Sequence, residues 1–166
     1  NLFDRINALK VYDREELMSA LPFYFENGSC LVQEHFVGAG VGVEFLAKNG
    51  RLLAAFQHKR LHESVNGGPS QYRKSVALHP ALTECTTKII AALDYTGVGM
   101  VEFKYNTATN SWILIEINGR FWGSLPLTIA AGVDMPRYLY QMLVEDKHEF
   151  PQQYPTDIYC RNLTND

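Results

Sequence analysis

Paired cysteines are missing from this 166-residue sequence. Its three, Cys30, Cys85 and Cys160, are scattered and odd in number. They form no Cys-x-x-Cys pair and no metal-ligand spacing. The pattern reads as reduced thiols in a cytoplasmic protein, with Cys85 on a helix. An excess of positive charge is missing too: 15 Lys and Arg stand against 18 Asp and Glu, a net charge of −3. That balance leaves no electrostatic footprint for nucleic acid and no polybasic surface for a membrane. No apolar run approaches the roughly 20 residues of a membrane-spanning helix, and the opening residues do not read as a signal peptide. There is no internal repeat and no low-complexity segment. Glycine is absent before Gly28, and Lys10 is the sole lysine before Lys48. What remains is a chain 46% hydrophobic and 12% aromatic, enough for the core of one domain.

The most informative stretch runs from Met100 to Arg120. It reads as a β-hairpin. Glu116 and Asn118 are two apart in an apolar run, so strict alternation puts them on one face with Trp112 and Leu114. Ile113, Ile115 and Ile117 then fill the other. In the partner run Met100, Glu102 and Lys104 alternate with Val101, Phe103 and Tyr105. A hairpin centred near Thr109 sets Glu102 opposite Glu116, and opposed residues point the same way. Like charges so placed repel. A divalent cation relieves the repulsion, because carboxylate and carboxamide oxygens suit Mg²⁺, which also takes waters and phosphates. Arg120, just past the strand end, offers a fork of donors for a phosphate oxygen. The alternative is a solvated hairpin whose polar face happens to be acidic.

Elsewhere the pattern predicts a short strand over 7–12 and a helix N-capped by Asp13, with Glu16 completing a capping box. Leu17, Leu21 and Phe25 carry its apolar face. Pro22 predicts a kink or an early stop, and Asn27-Gly28 the end. Leu31–Val37 reads as a strand broken by Gly38 and Gly40. Residues 41–48 and 51–59 form a hairpin around Asn49-Gly50, a type I′ signal. Residues 61–75, with Gly67-Gly68-Pro69, read as a mobile loop. Pro80 opens a helix to about Tyr95 with Leu82, Ile89, Ile90 and Leu93 buried, closed by Gly97. Two helices, Ser124–Ala131 and 136–144, precede an irregular tail. Short-turn strand pairs with helices between them predict an α+β fold: an antiparallel sheet flanked by helices.

Val-Glu-Phe at 101–103 followed by Glu-Ile-Asn-Gly-Arg at 116–120 resembles the metal-binding end of the ATP-grasp superfamily. Its members include biotin carboxylase, carbamoyl-phosphate synthase and D-alanine–D-alanine ligase. The likeness extends over about residues 9–143 and is nearest to carbamoyl-phosphate-synthase-like carboxylate–amine ligases. It implies a truncated ATP-grasp C-terminal subdomain across the whole chain. It implies ATP with Mg²⁺ or Mn²⁺ as cofactors, and small-molecule carboxylate and amine substrates. The carboxylate is activated as an acyl phosphate and attacked by the amine. Carried over, Glu102, Glu116 and Asn118 hold the metal, and Arg120 stabilises the transferred phosphoryl group. Val32-Gln-Glu-His-Phe-Val-Gly38 resembles the adenine segment, which assigns Glu34, His35 and Val37 to the nucleotide. The acid that holds ribose in many relatives falls at Gly40, which leaves either Glu44 as a substitute or a loosely held ribose.

In His58-Lys-Arg-Leu-His62, relatives carry a phosphate-binding base; alternation lets one of Lys59 and Arg60 face the site, and Arg60 is the choice. The two histidines read as solvated, since this spacing on a strand or loop does not gather both rings for zinc as a helix would. Gly67-Gly68-Pro69-Ser70 resembles a loop closing over the acceptor, which would keep water from an acyl phosphate. One of Phe121 and Trp122 is expected to pack and the other to shape the acceptor pocket, while a helix starting at Ser124 offers amides to an anion. The glycine-rich lid of a whole ATP-grasp domain is missing, and the chain starts at Asn1 without an initiator Met. The expectation is an excised piece that works with the rest of its own polypeptide and is inactive alone. The competing reading is a non-catalytic nucleotide-binding or assembly module that keeps the fold.

Overall fold

The computed structural model describes residues 8–62 and 72–161, in two compact units, Asn1–Phe36 and Val37–Asp166. The first is built on helix α1 (Arg14–Glu26). The Asp13 side chain accepts the Glu16 amide at 2.8 Å, and the Glu16 carboxylate accepts the Tyr12 amide at 2.8 Å. The reciprocal cap is therefore set one residue earlier than a standard capping box. The helix continues through Pro22, so the early stop does not occur. Neither predicted strand forms in its described part: residues 8–12 and 31–37 adopt no regular structure. A strand needs a neighbour to pair with, and Leu31 and Val32 stay exposed.

Among the described residues of the second unit, six strands form one antiparallel sheet. They are β1 (Ala39–Lys48), β2 (Arg51–His62), β3 (Tyr72–Val76), β4 (Gly97–Asn106), β5 (Ser111–Asn118) and β6 (Tyr159–Arg161). The order is β5-β4-β1-β2-β3-β6. Asn49 and Gly50 take φ of 48° and 70°, the left-handed pair that a type I′ turn needs, and β1 and β2 flank it. Strand β1 starts at Ala39 and runs through Gly40, so that glycine does not break it. The predicted loop 61–75 is partly strand, because β2 extends to His62 and β3 begins at Tyr72. The Gly67-Gly68-Pro69-Ser70 segment lies outside the described residues.

Alternation sorts β1 cleanly. Val41, Val43, Phe45 and Ala47 join Leu82 and Ile90 of α2 (Pro80–Ala92) in one core. Leu93, assigned to the buried stripe, is 61% exposed, because the helix has already ended and Leu93 is its C-cap. On the other face Leu46 packs with Phe56, Met100 and Trp122. Also in that core are Leu127 of α3 (Leu125–Ala130) and Met135, Tyr138 and Met142 of α4 (Met135–Val144).

The tail, read as irregular, ends in β6 on the edge of β3. Tyr154 ties it down: its hydroxyl accepts the Gln57 amide at 2.9 Å and donates to the Val76 carbonyl at 2.8 Å. Burial pushes that hydroxyl up to about 12 from its ordinary 10.0. A raised acid favours the neutral form in the fold. Its contribution is fully present below pH about 10 and is lost as pH rises toward 12. Alkaline titration of wild type is expected to show stability falling across that window. In Tyr154→Phe that fall is expected to flatten, from a lower starting stability.

Candidate active site

Strands β4 and β5 bring the two acids together. Glu102 pairs with Glu116 in register, and Met100 with Asn118. The pairing is reached by a route that strict alternation misses. From the turn inward, Asn106 opposes Ser111, Lys104 opposes Ile113 and Phe103 opposes Leu114. A β-bulge then inserts Ile115, and the ladder resumes with Glu102 against Glu116. Trp112 and Leu114 therefore share the Phe103 face, not the face of Glu116. The Trp112 ring meets Phe103 edge-on, centroids 5.5 Å apart. Ile113 lies on the Lys104 side and Ile117 opposite Val101, so the three isoleucines do not fill one face. Strand β5 is an edge strand, and Ile115 and Ile117 are 49% and 44% exposed.

The face that carries Glu102 is polar along its rows. Glu116, Glu102, Gly42, His58 and Ser75 follow one another across β5, β4, β1, β2 and β3. One row on, Lys104 opposes Gly40, and Arg60 opposes Arg73. Gly40 and Gly42 leave this end of the β1 face without side chains. The long Arg60 side chain reaches over that strand and donates to Glu102 Oε2 at 2.6 Å. Of Lys59 and Arg60, Arg60 is the one on the acids' face.

A second chain of bonds runs down β5. Asn118 Nδ2 donates to Glu116 Oε1 at 2.8 Å. Arg120 donates through Nη2 to Asn118 Oδ1 at 2.9 Å and through Nη1 to the Phe121 carbonyl at 3.0 Å. Two acids, a carboxamide and two guanidinium groups thus lie on and beside one sheet face. Among the described residues no group of three or more His, Cys, Asp or Glu side chains gathers as a metal-binding cluster. The oxygen set available to a cation is Glu102, Glu116 and the amide oxygen of Asn118. That set suits a hard ion that keeps waters or phosphate oxygens in its shell.

Two assignments change. Glu44 is fully buried, so it makes no contact with a ribose. His58 is 2% exposed rather than solvated, because its imidazole pairs with Glu44 at 2.5 Å. Ser124 lies just before α3 and donates its hydroxyl to Glu44 at 2.8 Å. Trp122 is the ring that packs, at 4% exposure, while Phe121 is 37% exposed. In the first unit Glu34 and His35 are exposed along a groove of about 560 Å³, whose walls include Leu17, Leu21 and Tyr24 of α1. Val37 belongs to the second unit, where its carbonyl accepts from Asn106 Nδ2 at 3.0 Å. Sequence reasoning missed Glu44, His58 and Ser124 as a group. Gly42 was the available signal, a glycine in the middle of a central strand. Among the described residues no helix is long and apolar enough to cross a membrane.

The same architecture recurs in solved structures. A Campylobacter jejuni biotin carboxylase complex with β-γ-ATP matches 87% of this chain and 34% of its own, at 16% identity and a TM-score of 0.52. The biotin carboxylase domain of Hydrogenobacter thermophilus 2-oxoglutarate carboxylase, solved with MgADP, ADP and bicarbonate, matches 73% of this chain and 28% of its own. There the identity is 17% and the TM-score 0.54. Kluyveromyces lactis urea carboxylase matches 73% of this chain at 17% identity, with a TM-score of 0.55 and 11% of its own length covered. The chain thus spans from about a tenth to a third of these proteins, and at such identities the likeness is one of fold. No curated protein sequence matches. The family described as "ATP-grasp in the biosynthetic pathway with Ter operon" matches residues 26–165, and the chain belongs to that ATP-grasp family.

Proposed function

We propose that this chain is the metal- and phosphate-binding part of an ATP-dependent ligase that activates a carboxylate as an acyl phosphate for attack by an amine or similar nucleophile. The reading rests above all on Glu102 directly opposed to Glu116 on one sheet face. Two carboxylates so placed need a counter-charge, and Arg60 supplies it to only one of them. Glu102, Glu116 and Asn118 would hold Mg²⁺ (or Mn²⁺), which supplies charge neutralisation to the nucleotide phosphates. Arg120, held by Asn118 beside the exposed Glu116, would take a phosphate oxygen. Arg60 would share that task. No side chain here is an evident general base, and none is needed when the amine arrives neutral. Glu34, His35 and Val37 are proposed for the adenine end. Catalysis of this kind is positioning and electrostatics.

The decisive assay uses the full-length protein, MgATP and pools of amino acids and other carboxylates. ADP release is expected from at least one pool, and Glu116→Gln is expected to lower it by about 10²–10³-fold. Unchanged turnover in that variant rejects the metal role. Nucleotide binding with no ADP release from any pool favours the non-catalytic module instead.

A further inference from the structure

Farther along the same sheet face as the acids lies a buried polar cluster that the ligase reading leaves without a task. Glu44, His58 and Ser124 are 0%, 2% and 3% exposed. One carboxylate oxygen, Glu44 Oε1, meets both His58 Nδ1 at 2.5 Å and Ser124 Oγ at 2.8 Å. Ser124 Oγ also lies 3.4 Å from His58 Nδ1. The other oxygen, Oε2, is buried without a hydrogen bond. The same side of the sheet carries an apolar core of Leu46, Phe56, Met100 and Trp122. Burying an acid, an imidazole and a hydroxyl beside such a core is unfavourable unless they are paired, and apolar replacements are often as stable or more so. The cluster therefore has a weak claim as a stabiliser. It also occupies a costly place. Gly42 stands in a central strand, where glycine weakens pairing, and a Cβ there would lie 2.4 Å from His58 Cε1.

What the cluster connects is more telling. Ser124 is the N-cap of α3, yet its side chain makes no capping bond. Its hydroxyl goes to Glu44 on β1, which fastens the end of the 119–124 loop to the centre of the sheet. That loop carries Arg120, whose guanidinium is bonded to its own loop carbonyl at Phe121. On the other side, His58 precedes Arg60 by two residues on the same face of β2. One carboxylate thus ties together the supports of both guanidinium groups.

We infer that Glu44, His58 and Ser124 are positioning residues that hold Arg120 and Arg60 in register over the acids, an inference that rests on the ligase reading. None of the three touches the phosphates. Their contribution is geometric, and small misplacements at such sites lower rates steeply.

The test is Ser124→Ala in the full-length protein, with Glu44→Gln as a second variant that preserves volume. Amide hydrogen exchange over residues 119–124 is expected to accelerate about tenfold or more, with β1 and β4 protection unchanged. In the ADP-release assay kcat is expected to fall about 10–100-fold while KM for MgATP moves less than about threefold. Unchanged exchange over 119–124 in both variants overturns the inference. So does protection lost evenly across the sheet, or faster loop exchange with kcat unchanged. The exchange measurement needs no nucleotide, so it still decides whether the cluster orders the loop if wild type releases no ADP. That second failure would count against the ligase reading.

Discussion

Glu102→Gln in the full-length protein is expected to reduce Mg²⁺-dependent ADP release by about 10³-fold, more than any other single change at the site. Two partners claim this carboxylate. In the structure it accepts from Arg60 at 2.6 Å, with side-chain exposures of 21% for Arg60 and 14% for Glu102. In the proposed function it also holds the cation. Removing its charge takes away the proposed metal ligand and leaves a largely covered guanidinium without its acid, a loss larger than that of an exposed ion pair.

Arg60→Met should separate the two claims. Without nucleotide, Mn²⁺ is expected to bind more tightly, because no guanidinium competes for Glu102. ADP release is nevertheless expected to fall, because a phosphate partner is gone. The double variant should be little worse than Glu102→Gln alone, since residues acting as one unit are not additive. Additive losses, or weaker Mn²⁺ binding in Arg60→Met, would show that Arg60 does not trade places with the metal.

The second large effect concerns stability. Gly42→Ala places a Cβ 2.4 Å from His58 Cε1, 2.9 Å from His58 Nδ1 and 3.0 Å from Met100 Sδ. Met100 is flexible and can yield. His58 cannot yield cheaply, because Glu44 holds its ring and it is buried. Forcing a methyl into such a site costs about 1–3 kcal/mol. For a chain of this size each kcal/mol lowers Tm by about 2–4 °C, so a fall of about 2–12 °C is expected in thermal unfolding. In a His58→Ala background Gly42→Ala should cost less than it does in wild type, because the clash is gone. A neutral Gly42→Ala would mean that the ring does not lie over β1.

How much of this was readable beforehand differs by element. Asn49-Gly50 announced its hairpin because the turn is decided by two local φ values, and helix α2 opened at Pro80 as read. The pairing of Glu102 with Glu116 was also legible, although for an incomplete reason. Alternation assumes an unbroken ladder, and nothing in Ile113–Ile117 marks which residue is extra. Strand β3 was hidden because Tyr72–Val76 is polar and charged, and its place depends on pairing with β2 and β6 rather than on its own pattern. The stretch at 31–37 failed the opposite way, with apolar residues at both ends but no neighbouring ladder. Glu44 and His58 were misread because long-range burial cannot be seen along the chain. Two strands and a distant serine had to meet before either residue acquired its surroundings.

The extra residue at Ile115 has a bearing on how relatives are recognised. It reverses the phase of β5 partway along, so one strand serves the hydrophobic interior near its tip and the charged surface near its root. With a regular ladder and the same turn, the two acids would sit an odd number of residues apart; the inserted isoleucine makes that interval even. A search that fixes the interval will discard kin differing only in whether they carry the insertion. Allowing either parity, with the turn length counted separately, recovers the same three-dimensional arrangement from both.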